Sequence, residues 1–165
     1  MMLFKLQSYV KYIVRATNEH DVHSPFVFNF LTQALYQKPK LSKDKTLDIL
    51  LKSSRYFNIR RARIIGNEGY TAKLVEKHPI LGQEAPLDVI YVEHMEKEPL
   101  SLVSAEDVHN DSFVLINHIR KDSHAFHAWR TLIEWPQISV SIDFYSCGMI
   151  FFRKEQEKQH FTIRI

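Results

Sequence analysis

Hydrophobic positions recur with a helical period in the first third of the chain and with a strand-like period afterwards. Leu3, Leu6, Val10 and Ile13 fall on one helical stripe with Lys5, Lys11 and Arg15 away from it, which predicts an amphipathic helix ending near Asn18. His23-Ser24-Pro25 predicts a second helix start. Ser24 is its cap, and Pro25 takes the first helical position, where a missing N–H costs nothing. Phe26, Phe30, Leu31, Ala34 and Leu35 give this helix a broad apolar face. Residues 37–45 break the pattern, with Lys38, Lys40, Lys43 and Lys45 around Pro39 in a solvated connector. A third helix over 46–58 turns Leu47, Leu50, Leu51 and Phe57 inward.

Then the period shortens. Arg63-Ile64-Ile65-Gly66 is a β-branched run closed by glycine and followed by a short helix over 71–78. Residues 87–92 read as a continuous apolar strand leading to a helix that opens near Pro99. Residues 112–116 repeat the strand. Asp122 caps a helix through Glu134 that turns Ala125, Phe126, Trp129, Leu132 and Ile133 inward. Short apolar strands alternating with helices predict an α/β fold with parallel strands buried on both faces. The end departs from this alternation. Segments 138–144 and 149–153 flank Tyr145-Ser146-Cys147-Gly148, too short for a crossover helix, so they must pair antiparallel. A last strand over 161–165 extends an edge.

Composition narrows the class. A chain of 165 residues, 45% hydrophobic and 25% charged, fits one globular domain with a real core. A net charge of +3 is too small to argue for nucleic acid by itself. The lone Cys147 excludes an internal disulfide framework and fits a reducing compartment. Residues 1–12 do not resemble a signal peptide, and no uncharged run approaches the roughly 18 residues that would span a bilayer. The expectation is a cytoplasmic protein without a membrane partner.

Candidate chemistry is sparse. Cys147 has no histidine in its local sequence to activate it, which makes it a poor nucleophile. His20 with His23, and His124 with His127, are spaced i, i+3, with His118 near the second pair. A zinc site needs about four converging ligands, and capping or surface roles account for these imidazoles, so no metal is expected. Gly66-Asn67-Glu68-Gly69 lacks the Gly-Lys-Ser/Thr end of a P-loop.

The stretch from Ile138 to Ile165 closely resembles the C-terminal end of a class I S-adenosylmethionine-dependent methyltransferase-like family of Bacteroidetes. Asn18-Glu19-His20-Asp21-Val22-His23-Ser24-Pro25-Phe26-Val27-Phe28 resembles the opening motif of the same family. The resemblance implies a reduced Rossmann-like methyltransferase sheet, mostly parallel with a C-terminal antiparallel hairpin. An N-terminal helical extension (1–58) would pack on this truncated domain (59–165). It also places the cofactor turn at Gly66, Asn67, Glu68 and Gly69, where Ile65 stands in place of the acidic residue expected before the first glycine. Only eight residues separate His78 from Leu87, too few for a strand, a helix and another strand. The carboxylate that would hold the ribose hydroxyls therefore has no home beyond Glu84. Metal-dependent relatives carry carboxylate and Asn ligands where this chain has Glu93-His94 and Asn117-His118, and His118 would favour a softer ion than magnesium.

These departures imply a degenerate methyltransferase-like protein that has lost or weakened S-adenosylmethionine binding and serves as a binding or structural module. The alternative is an active methyltransferase with Gly66, Asn67, Glu68, Gly69 and Glu93 around the cofactor and Asn117 and His118 at the acceptor, His118 as general base. A third reading is a basic nucleic-acid adaptor using residues 38–45 and 60–63, with salt-sensitive binding. Without the missing strands, Arg63 to Gly66 becomes a sheet edge that must be covered, either by the N-terminal helices folding over it or by a second copy of the chain paired at or near that edge, a homodimer.

Overall fold

The computed structural model describes residues 2–17, 22–80, 82–95, 104 and 106–165. The helix expected near Pro99, and Asn18, Glu19, His20 and Asp21 of the opening motif, lie outside the described residues. In chain order the helices are α1 (Met2–Arg15), α2 (Pro25–Phe30, continuing as a wider π-helical turn over Leu31–Leu35), α3 (Lys45–Tyr56), α4 (Glu68–Lys77) and α5 (Ser123–Ile133). The strands are β1 (Ala62–Ile65), β2 (Leu87–Val92), β3 (Val108–Asn117), β4 (Val140–Asp143), β5 (Cys147–Phe151) and β6 (Gln159–Thr162).

Side-chain caps fix where the helices begin. Ser24 accepts from the Val27 N–H and Asp122 from the Ala125 N–H, both as expected from sequence. Asp44 accepts from the Thr46 and Leu47 N–H groups and starts α3 at Lys45. Asn67 accepts from the Tyr70 N–H, so α4 begins at Glu68, earlier than the expected position 71. An asparagine cap inside a glycine-rich turn was the signal for that earlier start.

Among the described residues the sheet has six strands in the order β1-β2-β3-β5-β4-β6, all parallel except β5. The β4–β5 hairpin is antiparallel, as its short turn required, though β4 is shorter than expected and β5 begins two residues earlier, taking Cys147 and Gly148 out of the turn. β3 begins earlier than expected, and the last strand ends before 165 and runs parallel to β4.

Neighbouring strand residues point to opposite faces, and both faces are covered. On one, Val89, Tyr91, Phe113, Leu115 and Met149 join Phe30, Leu31, Ile49, Leu50 and Leu74 from α2, its π-helical turn, α3 and α4. On the other, Ile90, Val92, Val114, Ile116 and Ile150 meet Trp129 and Leu132 of α5. Gly148 of β5 makes the second contact possible, because a Cβ there would stand 2.5 Å from the Trp129 ring.

The N-terminal segment divides around the sheet. While α2 and α3 pack on the first face, α1 lies beside α5, with the Phe4 and Phe126 rings 6.4 Å apart. Thr17 pairs with Ile163 as the chain passes the β6 side. β1 is an edge strand, as the short 79–86 connection required, and the Ala62 N–H at its start donates to Gly82 O at 3.1 Å. Amphipathic stripes ordinarily face the core. In α1 the stripe points outward, with Leu3, Leu6 and Val10 68%, 62% and 54% exposed. Among the described residues no helix is long and apolar enough to cross a membrane.

Candidate functional site

Of the residues named from sequence, Gly66, Asn67, Glu93, Asn117 and His118 converge at the C-terminal ends of β1, β2 and β3. Gly66 follows β1 with φ +84°, the left-handed region that favours glycine, and a Cβ there would stand 3.0 Å from the Glu93 Cβ. Glu93 follows β2 and fills the space beside this turn. Its Oε2 accepts from the Asn67 amide at 2.8 Å and from the Tyr91 hydroxyl in a short bond. Its Oε1 accepts from the Asn117 amide at 3.4 Å and lies 3.1 Å from His118 Nε2. Burial alone would raise the Glu93 carboxyl. The Tyr91 and Asn67 donors, with the His118 and His94 imidazoles, outweigh it and hold the group below the usual glutamate range. The Tyr91 hydroxyl is pushed up, first by burial and then by its bond to Glu93.

The other site residues are tied into the same network. Asn117 Oδ1 accepts from the Thr46 hydroxyl and from the His118 N–H, each at 3.0 Å. This spans α3 and the end of β3. His118 is exposed with φ 54°, a left-handed position that turns its ring toward Glu93 and against the His94 ring, 5.2 Å away. Glu68 and Gly69 stand exposed in the first turn of α4, away from this network. A Cβ on Gly69 would meet Asn67 Oδ1 at 3.4 Å, ordinary contact, so nothing at that position demands glycine. Glu84 is exposed just before β2, at the opposite end of the strands.

Sequence reasoning missed Tyr91 and Thr46. Tyr91 was legible, since it lies in β2 two residues before Glu93, the residue just past the strand end, and strand alternation puts positions two apart on the same face. Thr46 was not, because its 71-residue separation from Asn117 is bridged only in the fold.

One ligand atom each from Glu93, His94 and His118 lie within 4.8 Å of one another, and a carboxylate with two imidazoles is a donor set suited to a zinc-class ion rather than magnesium. His124 and His127 line a cavity of about 370 Å³ with His94, His118 and Met95, but their ring nitrogens do not join that three-residue cluster. Cys147 is fully buried, and burial pushes its thiol up to about 11. The basic clusters are partly occupied: Arg63 pairs with Asp107 at 2.9 Å, and Lys45 Nζ donates to Phe144 O at 3.2 Å.

Fold and site together define a mixed α/β protein with a carboxylate–imidazole cluster at its strand ends. No protein-family model matches the chain, and neither a curated protein nor a solved structure matches it.

Proposed function

We propose that the chain is a reduced class I methyltransferase scaffold that no longer binds S-adenosylmethionine and works as a binding module. The strand order supports the descent: three parallel strands joined to a closing antiparallel hairpin, with the first strand left at an edge. The observation that carries the loss of cofactor is Glu93. Its side chain stands against the Gly66 turn where a cofactor would approach, and both its oxygens are taken by Tyr91, Asn67, Asn117 and His118. On the side of β1 away from β2 there is no strand among the described residues to supply a carboxylate for ribose hydroxyls. Calorimetry with S-adenosylmethionine and S-adenosylhomocysteine tests the reading. No heat of binding up to millimolar ligand is the expected result, and a micromolar dissociation constant overturns it.

The His118–Glu93 contact favours a second reading. An exposed imidazole backed by a carboxylate is the arrangement of a general base, so the chain would be an active methyltransferase. Micromolar cofactor binding lost in Glu93→Ala would support it.

A further inference from the structure

The orientation of α1 is the strongest feature that the strand-end site does not explain. The helix shows its apolar side to solvent and its polar side to the protein. Leu3, Leu6, Tyr9, Val10, Ile13 and Val14 are all exposed, whereas Ser8 and Tyr12 are buried. Polar anchors hold it that way. The Ser8 hydroxyl accepts from Arg120 Nε at 2.9 Å, and Arg120 is itself paired with the buried Asp143. The Tyr12 hydroxyl donates to Ile163 O at 2.6 Å, and the Tyr145 hydroxyl donates to Lys5 O at 3.3 Å. Rotating α1 to bury its apolar stripe would break these bonds and leave Arg120 Nε and the Ile163 carbonyl short of partners in the interior.

We propose that α1 is the dimerisation helix of this protein, its outward face paired with α1 of a second copy. Three observations select that occupant. Leu3, Leu6, Val10 and Ile13 advance by three, four and three residues, the spacing of a seam that packs against another helix. Lys5, Lys11 and Arg15 lie about 120° or more from the centre of that seam at 3.6 residues per turn, on the half turned toward the protein body. Two seams therefore meet without like charges between them. The six exposed side chains offer on the order of 600 Å² a copy, about 1,200 Å² for a pair, which reaches the lower end of specific interfaces. A patch that matches itself is what a twofold dimer requires. The inference does not depend on whether the cofactor site is active.

Sedimentation velocity of the full chain up to about 100 μM is the test, with Leu6→Glu combined with Val10→Glu as the variant. The expected result is a wild-type dimer and a variant with the wild-type circular dichroism spectrum whose self-association is at least about 100-fold weaker. A strictly monomeric wild type overturns the proposal. So does a variant that dimerises as well as wild type, which would move the interface elsewhere, the β1 edge first. A monomer that co-sediments with phosphatidylglycerol vesicles also overturns it, in favour of a lipid surface. Hydrogen exchange on the wild type keeps the test decisive should the variant fail to fold: α1 amide protection rises with protein concentration for a dimerisation helix, and independence of concentration overturns the proposal.

Discussion

The Cβ of Glu93 lies 3.0 Å from the point at which a Cβ on Gly66 would stand, and Gly66 itself holds φ at +84°. Two separate costs therefore meet in Gly66→Ala. The left-handed backbone costs about 1 kcal/mol, and crowding of Glu93 adds to it. Gly66→Ala should lower the unfolding free energy by about 2 kcal/mol in urea titration. Adding Glu93→Gly should remove the crowding Cβ and leave the backbone cost, so the double variant is more stable than the sum of the singles. Strict additivity would mean the two residues do not press on one another.

Gly148 and Trp129 make a stricter pair. A Cβ at position 148 would stand 2.5–2.7 Å from three carbons of a ring that is almost fully buried. Nothing flexible can yield there, because the ring is wedged between sheet and helix. Gly148→Ala is expected to cost about 3 kcal/mol, the upper end for overpacking, read as a lowered denaturant midpoint with an unchanged slope.

These contacts show what a single sequence reveals. Strands β2 and β3 were legible because strands buried on both faces read as continuous apolar runs, and the hairpin because its turn could hold nothing else. The edge position of β1 followed from the shortness of the connection after His78. The direction of α1 was not legible. Its stripe of Leu3, Leu6, Val10 and Ile13 has the spacing of any core-facing helix, and the bond that turns it outward joins Ser8 to Arg120, 112 residues away. Within the site, Gly66, Asn67, Glu93, Asn117 and His118 were named from the resemblance and lie together at the strand ends, whereas Glu68 and Gly69, named from the same turn, lie in the first turn of α4.

Acid stability should depend on Asp88. Burial would raise its carboxyl, but the Arg60 and Arg61 N–H groups, at 2.6 and 2.8 Å, and the His109 ring outweigh it and hold the group below its ordinary value. A carboxyl whose folded value is depressed stabilises the protein above its unfolded value of about 3.9 and loses that contribution as pH falls through the folded value. Asp88→Asn should therefore be less stable than wild type at neutral pH, with the gap closing below about pH 4. Urea midpoints measured between pH 2 and 7 check this, and a gap that widens in acid would refute it.

Cys147 offers a probe of global opening. Its thiol is buried and pushed up to about 11, so almost none is thiolate at pH 8. Modification by a disulfide reagent should be at least about 100-fold slower in the native protein than in urea, at a rate set by unfolding. Rapid native labelling would show that the end of the sheet at β5 opens locally.

The Arg120–Asp143 pair should be the costliest polar contact to break. The guanidinium spans both carboxylate oxygens, donates to Ser8 Oγ at 2.9 Å and to Tyr145 O at 3.0 Å, and lies 4.3 Å from the centre of the Phe126 ring. Both partners are buried, so removing one leaves an uncompensated charge. Arg120→Met should cost about 3–5 kcal/mol, whereas Arg120→Met with Asp143→Leu should cost less than Arg120→Met alone, because no charge is stranded. The same substitutions release Ser8, so α1 should lose hydrogen-exchange protection earlier than β3 in both variants. Equal losses across α1 and β3 would show that the pair stabilises the whole sheet and does not specifically anchor the helix.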